Sequence, residues 1–166
     1  MQELKKLSTG AVERAMQKAE RYRFLGEPCE AESIYLDILA LDGGQHEARI
    51  GLILSLTDQF RMDLGRAAEA GALASKLEDE YERRYYAGVV AERVGKAQLG
   101  RGGPGSDDYA NRALREAMGW YEKAEELRSP GDDDALIRWN ACARTIARRG
   151  FAEPSDMSLP SLLMTE

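Results

Sequence analysis

The stretch GEPCEAESIYLDILALD, Gly26–Asp42, decides how the rest of the chain is read. Ala31, Ile34, Tyr35, Ile38 and Leu41 recur at three- and four-residue spacing, which puts them on one face of a helix. Pro28 stands in the first turn, where its missing N–H costs no hydrogen bond. Gly26 breaks the pattern before it and Gly43-Gly44 the pattern after it. A helix with one apolar face must bury that face against neighbours, so further helices are expected on either side.

The spacing of apolar residues and breakers predicts them, seven helices in all. The first spans about Ala11 to Leu25. The second is the opening stretch. The third runs about Gln45 to Phe60 and is apolar almost all round at Ile50, Leu52, Ile53, Leu54 and Leu56, so cover on both sides is expected. The fourth spans about Leu64 to Leu77 and the fifth about Glu80 to Leu99. The sixth starts near Asp107-Asp108, with carboxylates at the positive end of the helix dipole. It carries Ala113, Ala117, Trp120, Tyr121, Ala124 and Leu127 on one side. The seventh follows Pro130-Gly131, opens on Asp132, Asp133 and Asp134, and ends at Gly150. No strand pattern competes.

Composition agrees. The 166 residues are 43% hydrophobic and 31% charged, a soluble globular profile with room for a core. Alanine, leucine, glutamate and arginine abound and β-branched residues are sparse, so the class is all-α. The longest apolar run, Ile50 to Leu56, is far too short to span a bilayer, and no secretory signal is read at the N-terminus. Cys29 and Cys142 lie far apart, form no CxxC pair and suit a reducing cytoplasm. The net charge of −6 speaks against nucleic acid. Residues 1–80 hold ten basic and fifteen acidic side chains and residues 81–166 thirteen and fourteen. That imbalance places any anionic partner toward the C-terminal end.

The Ala31–Tyr35 pair resembles the tetratricopeptide repeat, a helix–turn–helix unit of roughly 34 residues. That pattern asks for a small residue and an aromatic four later in its second helix; Ala117 and Tyr121 fit as well. First-helix positions are similar in AMQKAERY (Ala15, Lys18, Ala19, Tyr22), in the fifth helix (Ala87, Val90, Ala91, Val94) and in WNACARTI (Trp139, Cys142, Ala143, Ile146). Small residues let helices approach closely, and the aromatic fills the wedge between adjacent pairs. The spacing is irregular: Ala31 to Ala70 is 39 residues and Ala70 to Ala117 is 47. Ala74 stands where the second unit should have its aromatic. The resemblance implies a right-handed superhelix of antiparallel pairs over residues 1–150. Its units are about 11–43, 46–78 and 80–129, with a cap helix at 132–149 and a tail at 151–166.

Chemistry is harder to find. His46 stands alone after a glycine turn, and one histidine with two scattered cysteines makes no metal site. GRGGPG matches GxGxxG through Gly100, Gly102 and Gly105, but it follows a helix rather than a strand, so it reads as a loop and not a dinucleotide cradle. Asp132, Asp133 and Asp134 read as helix-dipole partners, because three consecutive carboxylates cannot face one ion. No catalytic residue, cofactor or metal is expected.

The resemblance implies that first helices line a groove for a partner, here Met16, Glu20, Phe24, Ile50, Leu54, Asp58, Tyr85, Glu92, Lys96, Asn140, Arg144 and Arg148. Ile50 and Leu54 equally suit a core. One subtype grips a C-terminal carboxylate through lysine, asparagine and arginine; Met16, Glu20, Gly51, Tyr85 and Val89 stand there instead, so no such clamp is expected. In the tail, Leu159, Leu162, Leu163 and Met164 place four large apolar side chains within six residues, which predicts a contact with the cap helix or with a second copy. The leading expectation is a cytoplasmic, non-enzymatic adaptor for a protein or peptide, with no nucleic-acid or membrane partner. A small chaperone for a secreted or assembly-prone partner is the alternative, and an enzyme of irregular α fold the third reading.

Overall fold

The computed structural model of the protein describes residues 3–153, and among these it is all-α. A short 3-10 turn, Thr9–Ala11, leads into α1 (Val12–Phe24), α2 (Pro28–Leu41), α3 (His46–Asp58), α4 (Arg66–Ala74), α5 (Glu80–Arg101), α6 (Ser106–Glu125) and α7 (Asp134–Arg149). The seven expected helices are all present. The 3-10 turn is an addition, and α4 is shorter than expected at both ends, beginning after Gly65 and stopping at Ala74. Tail residues Leu159, Leu162, Leu163 and Met164 lie outside the described residues.

The chain divides into two compact units, one through Gln59 and one from Phe60 onward. The helix pair expected over 46–78 is therefore split, with α3 in the first unit and α4 in the second.

In the first unit α1 packs on α2 and α2 on α3. Ala19, Ala31, Tyr35, Ile38, Ala48, Leu52, Ile53 and Leu56 are buried. The decisive contact is between Tyr35 and Gly51. A Cβ placed on Gly51 would stand 2.3 Å from the Tyr35 ring, so the ring lies flush on the backbone of α3. Only glycine permits that approach. As expected, burial reaches round α3 on both sides, but Ile50 and Leu54 are half-buried rather than core. Its buried hydroxyls bond back to their own helix, Ser55 Oγ to the Gly51 carbonyl and Thr57 Oγ1 to that of Leu54, both at 2.8 Å.

In the second unit α4 packs on α5, α5 on α6 and α6 on α7, with α5–α6 the longest seam. Asp79 caps α5 by accepting from the Glu82 N–H at 2.9 Å. The seam is built from small residues: Gly88, Ala91 and Gly95 on α5 and Ala110, Ala113, Ala117 and Ala124 on α6 are all buried. Tyr121 repeats the device of the first unit. Its ring would be 2.5 Å from a Cβ on Gly88.

Candidate partner-binding surface

On α1 the core-facing residue is Ala19, fully buried. One helical turn further on, Arg23 reaches α3 and donates through Nε to Asp58 Oδ2 at 3.0 Å, with its second guanidinium nitrogen at 2.9 Å. Asp58 is thus tied into the first unit by a half-buried ion pair. Met16, Glu20 and Phe24 follow one another at four-residue spacing on a neighbouring face. Met16 is half-buried and Glu20 exposed, while Phe24 is 92% exposed and Leu25 beside it 65%.

A third face of α1 lines a cavity of about 400 Å³, bounded by Arg14, Gln17, Lys18, Arg21, Tyr22 and Leu25. The Lys18 ammonium sits 5.7 Å from the centre of the Tyr22 ring, within cation–π range.

In the second unit Tyr85, Glu92 and Lys96 fall on one face of α5 and meet side chains from α6 and α7. Glu92 is 1% exposed. Its Oε2 accepts from the Tyr121 hydroxyl at 2.6 Å and from the Arg138 guanidinium at 3.0 Å, and its Oε1 accepts from Lys96 Nζ. Arg138 Nε also donates to the Tyr85 hydroxyl at 2.9 Å, with the guanidinium 5.7 Å from the ring centre. Around Tyr85 the aromatic packing is dense, with Tyr81 stacked at 5.8 Å, Tyr86 edge-on at 5.1 Å and Tyr121 tilted at 5.9 Å.

Two opposed effects set the charge of Glu92. Burial raises its pKa; the hydrogen bonds from Lys96 and Tyr121 and the charges of Lys96 and Arg138 outweigh it, leaving the carboxyl below its ordinary 4.5. Glu92 is therefore a carboxylate at neutral pH. Burial and that carboxylate push the Tyr121 hydroxyl well above the ordinary tyrosine range. Burial, with Glu92 adding, pushes the Cys142 thiol up to about 12, so it is neutral and a poor nucleophile. Both Glu92 oxygens are engaged and its donors are satisfied, which describes a structural polar cluster that joins α5, α6 and α7.

The residues expected to line a groove thus separate. Tyr85, Glu92 and Lys96 come together, with Glu92 in the interior and the side chain of Lys96 47% exposed. Asn140, Arg144 and Arg148 lie round α7 on the side away from Cys142 and Ile146; Asn140 is half-buried and both arginines are exposed. The cation that α7 does bring to Glu92 is Arg138, which the sequence reading passed over. Its signal was present: Arg138, Cys142 and Ile146 stand four apart, so Arg138 shares the buried face.

Among the described residues no group of three or more His, Cys, Asp and Glu side chains is placed to hold a metal ion, and no helix is long and apolar enough to cross a membrane. No family model, no curated protein and no solved structure matches the chain.

Proposed function

We propose that the chain is a non-enzymatic helical scaffold that binds another polypeptide, acting in the cytoplasm, where its two free thiols, Cys29 and Cys142, would stay reduced. The observation that carries this reading is Phe24. It stands at a position expected to meet a partner, and it leaves an aromatic ring 92% exposed beside a 65% exposed Leu25. Burying one such side chain stabilises by about 1.5–3 kcal/mol, which an intermolecular contact would recover. Adjacent exposed large apolar residues suit a binding surface better than an isolated one does. The Glu92 cluster supports a non-catalytic role, since its acid and its hydroxyl are spent on each other.

The test is retention of polypeptides by the immobilised full-length chain and by a Phe24→Ser/Leu25→Ser variant. The scaffold reading expects at least one polypeptide held in stoichiometric amount by the first and lost by the second, with circular dichroism unchanged. Equal retention by both, or retention by neither, contradicts it.

A further inference from the structure

The cavity along α1 is bordered by cations that no described carboxylate neutralises. Arg14, Lys18 and Arg21 stand at i, i+4 and i+7, all three are exposed, and none has a carboxylate partner among the described residues. Some basic side chains elsewhere are engaged, Arg23 by Asp58, Arg84 by Glu80, Arg138 and Lys96 by Glu92, while Arg144 and Arg148 on α7 are exposed like the strip on α1. The carboxylates of α1 itself, Glu13 and Glu20, fall about 100–120° round the helix from Arg14 and do not neutralise the strip. Beside the cations the cavity is lined by Tyr22 and by the exposed Leu25.

We infer that this face of α1 docks an acidic amphipathic segment of the partner polypeptide. Its carboxylates would meet Arg14, Lys18 and Arg21 over about 10 Å of helix axis, and an aliphatic side chain would enter the cavity against Tyr22 and Leu25. The inference rests on the scaffold reading and names the chemistry of the partner. Charge complementarity selects the occupant. The chain carries a net charge of −6, so a long polyanion is repelled at a distance, whereas a short acidic segment meets the local strip within a Debye length of about 8 Å. The apolar wall favours a peptide over a sugar-phosphate backbone. Charge counted over whole segments points elsewhere, to the C-terminal half. The strip on α1 escapes that count because its neighbouring carboxylates lie on another face.

The experiment is fluorescence anisotropy of a labelled helical peptide about four turns long, with glutamates at i, i+4 and i+7 beside a leucine stripe. It is titrated with the full-length chain, with an Arg14→Glu/Lys18→Glu/Arg21→Glu variant and with an Arg144→Glu/Arg148→Glu variant. The expected result is salt-sensitive binding that weakens about tenfold or more in the α1 variant and is kept in the α7 variant. A lysine version of the peptide should not bind. Equal binding by the α1 variant, loss in the α7 variant instead, tighter binding of single-stranded DNA than of the peptide, or self-association of the chain that the α1 variant abolishes would each overturn the assignment. If the α1 variant still retains the polypeptide that Phe24→Ser/Leu25→Ser loses, the scaffold reading stands and this inference alone falls.

Discussion

The two units use one steric device in two electrostatic settings. In the first, Tyr35 of α2 lies on Gly51 of α3, and Arg23, paired with Asp58, also acts on the tyrosine hydroxyl. In the second, Tyr121 of α6 lies on Gly88 of α5, and the Glu92–Arg138 pair takes the tyrosine hydroxyl as well. The side chains of Arg23 and Asp58 are 23% and 22% exposed, so water still screens them. Glu92 is 1% exposed and depends on its partners for solvation. A tyrosine seated on a helical glycine is thus a packing solution in both places, while the ion pair nearby is a minor surface term in one and an obligatory internal term in the other.

That contrast can be broken most forcefully at Glu92. Glu92→Ala removes the acceptor of Tyr121, Lys96 and Arg138 together and is expected to cost about 3 kcal/mol, at the low end for a broken buried pair because both cations reach solvent. Urea denaturation measures it. The same cluster should appear in the acid limb. Glu92 has a folded pKa below its ordinary 4.5, so its contribution is full above that value and is lost as pH falls through the folded one. Glu92→Gln should flatten the loss of stability below about pH 4.5, where the wild type declines.

The shared steric device is tested next. Gly→Ala inside a helix normally stabilises by about 0.5–1 kcal/mol. At Gly88 and Gly51 the new methyl would collide with a buried tyrosine ring, and overpacking costs about 1–3 kcal/mol, so a net loss of about 1–2 kcal/mol is expected at both. Gly119 has open space where its Cβ would stand, and Gly119→Ala should raise stability by about 0.5–1 kcal/mol. Opposite signs at Gly88 and Gly119, both within long helices, would show that contact and not propensity decides. The smallest effect is expected for Asp58→Ala, about 1 kcal/mol or less, as for a screened ion pair. A loss equal to that of Glu92→Ala would remove the distinction between the units.

The helices were legible because apolar spacing and glycine breakers report local structure directly. The Ala31–Tyr35 and Ala117–Tyr121 pairs were legible as packing positions for the same reason. Their seats were not: Gly51 lies amid the apolar run of α3 and Gly88 before that of α5, and only the three-dimensional contact shows that a ring rests on each. The polar cluster was half legible. Tyr85, Glu92 and Lys96 share a helix face that spacing reveals, but Arg138 and Tyr121 come from other helices, and periodicity within one helix carries no information about which side chain arrives from the next. The cations of α1 were hidden for a different reason, since charge summed over eighty residues cancels a strip only three side chains long.

The central claim is that polar chemistry inside the second unit is structural and that the exposed face of α1 is where a partner docks. Hydrogen–deuterium exchange of the full-length chain, with and without the acidic peptide, tests it most directly. The account predicts slowed exchange confined to α1, with α5, α6 and α7 unchanged. Protection centred on the Glu92–Arg138 helices, with α1 unaffected, would contradict it.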